Sequence, residues 1–177
     1  MTVRKTFDAD LNLLKEKVVH MASLAEQSFL DALSSLKQQD LVLAEQLIER
    51  DKEINIMEED IDELVVRLIS TQQPVASDLR KIVATLKMAS SIERIGDFSV
   101  DIAKATKRIG ADNLVTKLVE LPIMIGIVQE MLKKAISAYV YGNVSLAEEL
   151  VDMDDQVDKL YATIHHNLLE LLDIMPD

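Results

Sequence analysis

Apolar residues recur every third or fourth position along most of the chain, the spacing of an amphipathic helix. In a first segment they are Leu11, Leu14, Val18, Met21, Ala25, Ser28, Ala32 and Leu36. In a second the same seam reads Ala44, Leu47, Asp51, Ile54, Glu58, Ile61, Val65 and Leu68, and in a third Leu79, Ile82, Leu86, Ala89, Glu93, Gly96, Val100 and Ala103. Breakers separate the segments: Asp40, Pro74, Gly110, Pro122 and the pair Gly142-Asn143. The pattern predicts helices over residues 8–38, 41–70, 75–108, 114–142 and 144–173, with almost no strand. Such seams pack as near-antiparallel bundles.

A repeat lies inside this pattern. The stretch Leu43–Asp51 recurs at Leu146–Asp154, an offset of 103 residues, which also carries Ala32 to Ala135, Ile61 to Ile164 and Leu68 to Leu171. Helices four and five therefore repeat helices one and two, and residues 43–68 are expected to superpose on 146–171. A counterpart of helix three would begin near residue 177, and Ile174-Met175-Pro176-Asp177 resembles the Pro74 joint. The expected fold is all-α, a tandem repeat of two antiparallel three-helix bundles with the sixth helix missing. The first repeat would span 1–110 and the second 111–177, where Ile136, Leu150, Val157, Leu160, Ile164, Leu168 and Leu171 would lack part of their cover.

Composition narrows the function classes. Gly and Pro total seven, too few for the turns of a sandwich or barrel. The absence of cysteine excludes disulfides, thiol nucleophiles and Cys-type zinc sites. Thirty-one acids against 19 Lys and Arg give a net charge of −12, and no basic block is segregated, so no nucleic-acid partner is expected. The longest apolar run, Leu121–Val128, is far short of a membrane span and contains Pro122. No signal peptide is seen behind the Met-Thr-Val-Arg-Lys start. A soluble intracellular protein is expected, without direct membrane insertion.

The anomaly is acid where a bundle wants Leu. Asp51, Asn55, Glu58 and Asp62 form one stripe at spacings of 4, 3 and 4; Glu93, Asp97 and Asp101 form another at 4 and 4. Residues four apart on a helix lie about 5–6 Å apart at Cβ, so like charges there repel unless neutralised. One account is a solvated face paired with Arg80, Lys87 and Arg94. The other is convergence of Asp51, Glu58, Glu93 and Asp97 on a cation, with Asn55, Asp62 and Asp101 peripheral. Oxygen-only donors suit a divalent or ferric ion (iron, Mn, Mg, Zn or Ca) rather than copper or a closed zinc site. The Glu-x-x-His pairs of ferritin-like di-iron proteins are missing, because no acid precedes His20, His165 or His166 by three. His165 falls at the repeat position of Asp62. No phosphate loop or nucleophile elbow is present, and no catalysis is expected. A metal-storage or metal-sensing bundle and a carboxylate metal hydrolase remain open alternatives.

The strings Glu49-Arg50-Asp51-Lys52-Glu53-Ile54-Asn55, Gln73-Pro74-Val75-Ala76-Ser77-Asp78-Leu79-Arg80 and Ile92-Glu93-Arg94-Ile95-Gly96-Asp97 resemble the PhoU family of phosphate-signalling proteins. The resemblance spans the chain, more weakly beyond residue 112. It implies a cytoplasmic bundle of two three-helix repeats. It also implies metal binding through Glu/Asp-x-x-x-Asp motifs, here Glu93 with Asp97, less closely Asp51 with Asn55, and Asp154 with Asp158 in the second repeat. It implies an adaptor of the high-affinity phosphate transporter that links the transporter's ATPase subunit to a membrane sensor histidine kinase and negatively regulates the starvation response. A homodimer is expected.

Overall fold

The computed structural model describes residues 2–109 and 119–173, with side chains over 6–109 and 119–170. Five helices follow in order: α1 (Thr2–Gln38), α2 (Leu41–Gln72), α3 (Ala76–Ile109), α4 (Glu120–Tyr141) and α5 (Val144–Asp173). No strand occurs among the described residues. The chain divides into two compact units, Met1–Ala111 and Asp112–Asp177. Gly110, the expected 114–118 start of helix four and the Ile174–Asp177 joint lie outside the described residues.

In the first unit α1, α2 and α3 pack pairwise. The predicted seams form its core: Leu14, Val18, Met21, Ala25 and Ala32 meet Ala44, Leu47, Ile54, Ile61, Val65 and Leu68, and both meet Ile82, Ala89, Ile92 and Ala103. Leu79 departs from the pattern and is exposed, because it lies in the first turn of α3, near the bundle end. Small residues on α1 and α3 bring those two helices into the most extensive contact of the unit. The hydroxyls buried there return to their own helices: Ser35 donates to the Ala32 carbonyl at 2.8 Å and Thr106 to that of Ile102 at 3.0 Å. Each is thereby satisfied without a partner from solvent. Lys17–Asp60 at 2.7 Å and Arg50–Asp31 at 2.9 Å tie α2 to α1 at the rim, and Lys107 pairs with Glu45. Exposed pairs of this kind contribute little, roughly 0–1 kcal/mol each.

The second unit is a hairpin of α4 and α5. Glu120 opens α4, so Pro122 falls in the first turn, where backbone N–H groups have no intrahelical partner to lose. That is why the helix tolerates a proline which the pattern marks as a joint. Among the described residues of this unit, Ala138, Met153 and Ile164 are the buried apolar positions. Ile136, Leu150, Val157 and Leu160 are half-covered and Leu168 is exposed.

The two helix–helix turns use the same chemistry 103 residues apart. Gln39 and Gly142 both take the left-handed conformation, at φ 56° and 62°. The Asp40 amide donates to the Ser35 carbonyl and the Asn143 amide to that of Ala138, each at 2.9 Å. Asp40 Oδ1 then accepts from the Leu43 amide at 3.0 Å, and Asn143 Oδ1 from the Leu146 amide at 3.3 Å. Each short polar side chain caps the helix it precedes. Asp40 caps two amides, Val42 and Leu43. Its replacement by Ala should lower the unfolding free energy by about 1 kcal/mol, measured by denaturant titration followed by circular dichroism. An unchanged midpoint would remove the cap from the account.

Candidate metal centre

Helices α2 and α3 are joined by the short Gln73–Val75 link. Gln73 takes a left-handed φ of 44° and closes α2 with its amide on the Ile69 carbonyl, so the chain reverses at Pro74. The antiparallel return sets Asp51 opposite Asp97 and Glu58 opposite Ser90 and Glu93. Ile54, buried between the two acids of α2, packs against Gly96. The apolar contact that holds α2 on α3 therefore also brings the two acidic stripes together.

The electrostatics register this. Burial pushes the Asp51 carboxyl above the usual carboxylate range, and the Asp97 charge pushes it further; a hydrogen bond from Asn55 and the more distant Lys104 pull it back. Glu58 is raised by burial and then by Asp62, with Asp97 and Glu59 adding to the effect and Ser90 opposing it. Glu93 is raised by burial, then by Asp97, Glu58 and Asp51. Asp51, Glu58, Glu93 and Asp97 thus form one coupled group. Asn55 joins it through Nδ2, which donates to Asp51 Oδ2 at 3.4 Å. That leaves Asp51 Oδ1 and Asn55 Oδ1 buried without a hydrogen-bond partner, and an orphaned buried acceptor is costly.

No Lys or Arg pairs with any of the four acids among the described residues. Arg94 instead lies over the Phe98 ring, 6.0 Å from its centroid. The candidate partners Arg80 and Lys87 are exposed. Asp101 points away: it is exposed and lies 3.8 Å from Lys104. Asp62 stays at the rim, acting on Glu58 through charge alone. Asp154 and Asp158 lie on α5 in the second unit, both exposed. Ser90 was not marked by the acidic pattern, although it precedes Glu93 by one helical turn.

All-oxygen donors, two bare acceptor atoms and uncompensated negative charge suit a hard cation. Among the described residues no three His, Cys, Asp or Glu groups are placed so that they could together hold a metal ion.

The PhoU domain family matches residues 18–106 and 121–176. The chain belongs to the PhoU family. It is 40% identical over 170 residues to a phosphate-specific transport system accessory protein PhoU homolog of Clostridium acetobutylicum, covering 96% of this chain and 78% of that one. It is 32% identical over 163 residues to the accessory protein PhoU of Escherichia coli, covering 92% and 68%. The crystal structure of PhoU from Pseudomonas aeruginosa aligns with a TM-score of 0.85 at 32% identity, over 94% of this chain and 80% of that one. The phosphate transport system regulatory protein PhoU from Streptococcus pneumoniae aligns with a TM-score of 0.87 at 27% identity, over 94% and 79%. The all-α bundle expected from the sequence is thus the fold of solved PhoU proteins. Among the described residues no helix is long and apolar enough to cross a membrane.

The raised carboxyl groups link this PhoU cluster to stability. A group held above its unfolded pKa binds protons more tightly in the folded state, so its contribution falls as pH rises. The loss starts in the ordinary carboxylate range and is complete above the raised values of Asp51, Glu58 and Glu93. In metal-free buffer, the Asp51→Asn/Glu93→Gln variant should therefore melt higher than the parent at neutral pH, with the difference shrinking on acidification. Parallel melting curves at all pH values would contradict the coupling.

Proposed function

We propose that this chain is an accessory protein of a phosphate-specific transport system, acting as a cytoplasmic, non-catalytic adaptor that negatively regulates phosphate uptake and the phosphate-starvation response. The relatives named as accessory proteins of that system support the transport context. The observation that supports the role of a cation is the group Asp51, Glu58, Glu93 and Asp97, mutually repelling and without a Lys or Arg ion pair among the described residues.

In this reading Glu93 and Asp97 from α3 and Asp51 and Glu58 from α2 hold the cation, with Asn55 Oδ1 as a neutral donor. A bound divalent or ferric ion supplies the positive charge that these side chains lack. Asp62 and Asp101 contribute negative potential from the rim. The carboxylates, once neutralised, stop repelling one another across the seam, and α2 and α3 are held in one register. That rigid face is what an adaptor needs to present to the transporter's ATPase subunit and to the cytoplasmic part of a sensor histidine kinase. Asp154 and Asp158 form the corresponding half-site in the second unit, and the protein acts as a homodimer.

Two measurements on one variant test this reading. Glu93→Ala/Asp97→Ala should keep its helicity and lose the rise in melting temperature that metal confers on the parent, because a ligand that binds only the folded state must raise it. Purified parent protein with metal should also retain the kinase's cytoplasmic portion and the ATPase subunit, with weaker retention by the variant. An unchanged metal response in the variant would remove the metal assignment. Failure of the parent to retain either partner would remove the adaptor role.

A further inference from the structure

Two glycines of known side-chain space sit inside long helices, in opposite surroundings. Gly126 in α4 has nothing within 4 Å of where a Cβ would be. Gly96 in α3 is buried, and a Cβ there would lie 3.0 Å from Ile54 Cδ1, 3.3 Å from Asp51 Oδ1 and 3.4 Å from Ile54 Cγ2. Glycine weakens a helix interior relative to alanine, and the two side chains that a methyl at position 96 would meet are Ile54 and Asp51. Ile54 is buried in the core and meets such a Cβ through two of its carbons. Asp51 Oδ2 accepts from Asn55 at 3.4 Å, while Oδ1 stays buried, unpartnered and against the bare backbone of residue 96.

We propose that Gly96 is a positioning residue of the cation site: the missing side chain lets the Asp51 carboxylate lie against α3 with Oδ1 bare, in the orientation from which it can share a cation with Glu93 and Asp97. The inference rests on the proposal that this cluster binds a cation. Gly96 touches no ion itself and acts through Asp51. A methyl group at 96 displaces Oδ1 from α3 and separates the α2 donor from the α3 pair, which stand on either side of residue 96 in sequence.

Titration of the full chain with Mn²⁺ alone, followed by the electron-spin resonance signal of free Mn²⁺, tests this. Gly96→Ala should weaken Mn²⁺ binding about 10–100-fold, the range for groups that orient ligands, with helicity retained. Gly126→Ala serves as the control for helix propensity and should bind as the parent does. Gly96→Ala/Ile54→Val relieves the contact with Ile54 and keeps the variant foldable; its binding should remain as weak as that of Gly96→Ala. In an Asp51→Ala background, adding Gly96→Ala should weaken binding no further. Recovery of affinity in the Ile54→Val double variant would show that Gly96 serves packing only, and overturn the inference. Parent-like binding by Gly96→Ala would overturn it while leaving the cation reading intact. Absence of Mn²⁺ binding by the parent would remove both.

Discussion

The close antiparallel approach of α2 and α3 is the constraint from which the first unit takes its character. Ile54 fills the seam against Gly96, and the helices come near enough for acids on both to lose part of their water. Burial of apolar side chains at about 25 cal/mol per Å² favours the approach, while desolvated like charges oppose it. The acids occupy seam positions that leucine would fill at lower cost. A bundle that keeps Asp51, Glu58 and Glu93 there, each half-exposed, carries local repulsion beside the buried Ile54 and Ile92.

The rest of the unit is built to tolerate that repulsion. Above and below its acids the buried face of α2 is apolar, with Ala44 and Leu47 at one end and Ile61, Val65 and Leu68 at the other. The buried hydroxyls between α1 and α3 are satisfied within their own helices, so they add no further demand. The unmet acceptors of the coupled group, Asp51 Oδ1 and Asn55 Oδ1, are concentrated at a single place. The second unit contrasts with this. Its α4–α5 pair buries little, and the α5 acids at 154 and 158 remain in solvent.

The helices were legible because a period of three to four residues survives in every segment, and because few glycines or prolines interrupt it. The duplication was legible in the Leu43–Asp51 string, and the matching Asp40 and Asn143 caps give it a structural counterpart. Pro122 was legible as a breaker but not as a first-turn residue, since the same proline serves either role. The acids of α2 and α3 were visible from their spacing, yet spacing within one helix does not tell which acids meet across the seam. Asp101 shares the stripe of Glu93 and Asp97 but turns to Lys104. Ser90 and the Asp51–Gly96 contact depend on the register of one helix against the other, which no single-helix pattern contains. The transport context came from motif strings, Glu-Arg-Ile-Gly-Asp above all, and the family match agrees with them.

We propose that the carboxylates between α2 and α3, whose hold on protons is strengthened by burial and by one another's charge, take up a cation in competition with protons. Calorimetric titration of the whole chain with Mn²⁺, from neutral pH down into the carboxylate range and in buffers of different ionisation enthalpy, measures that competition directly. Saturable binding is expected, with proton release that grows as pH falls into the carboxylate range and protons compete with the metal. Binding heats that are independent of buffer at every pH, or no saturable binding at all, would contradict it.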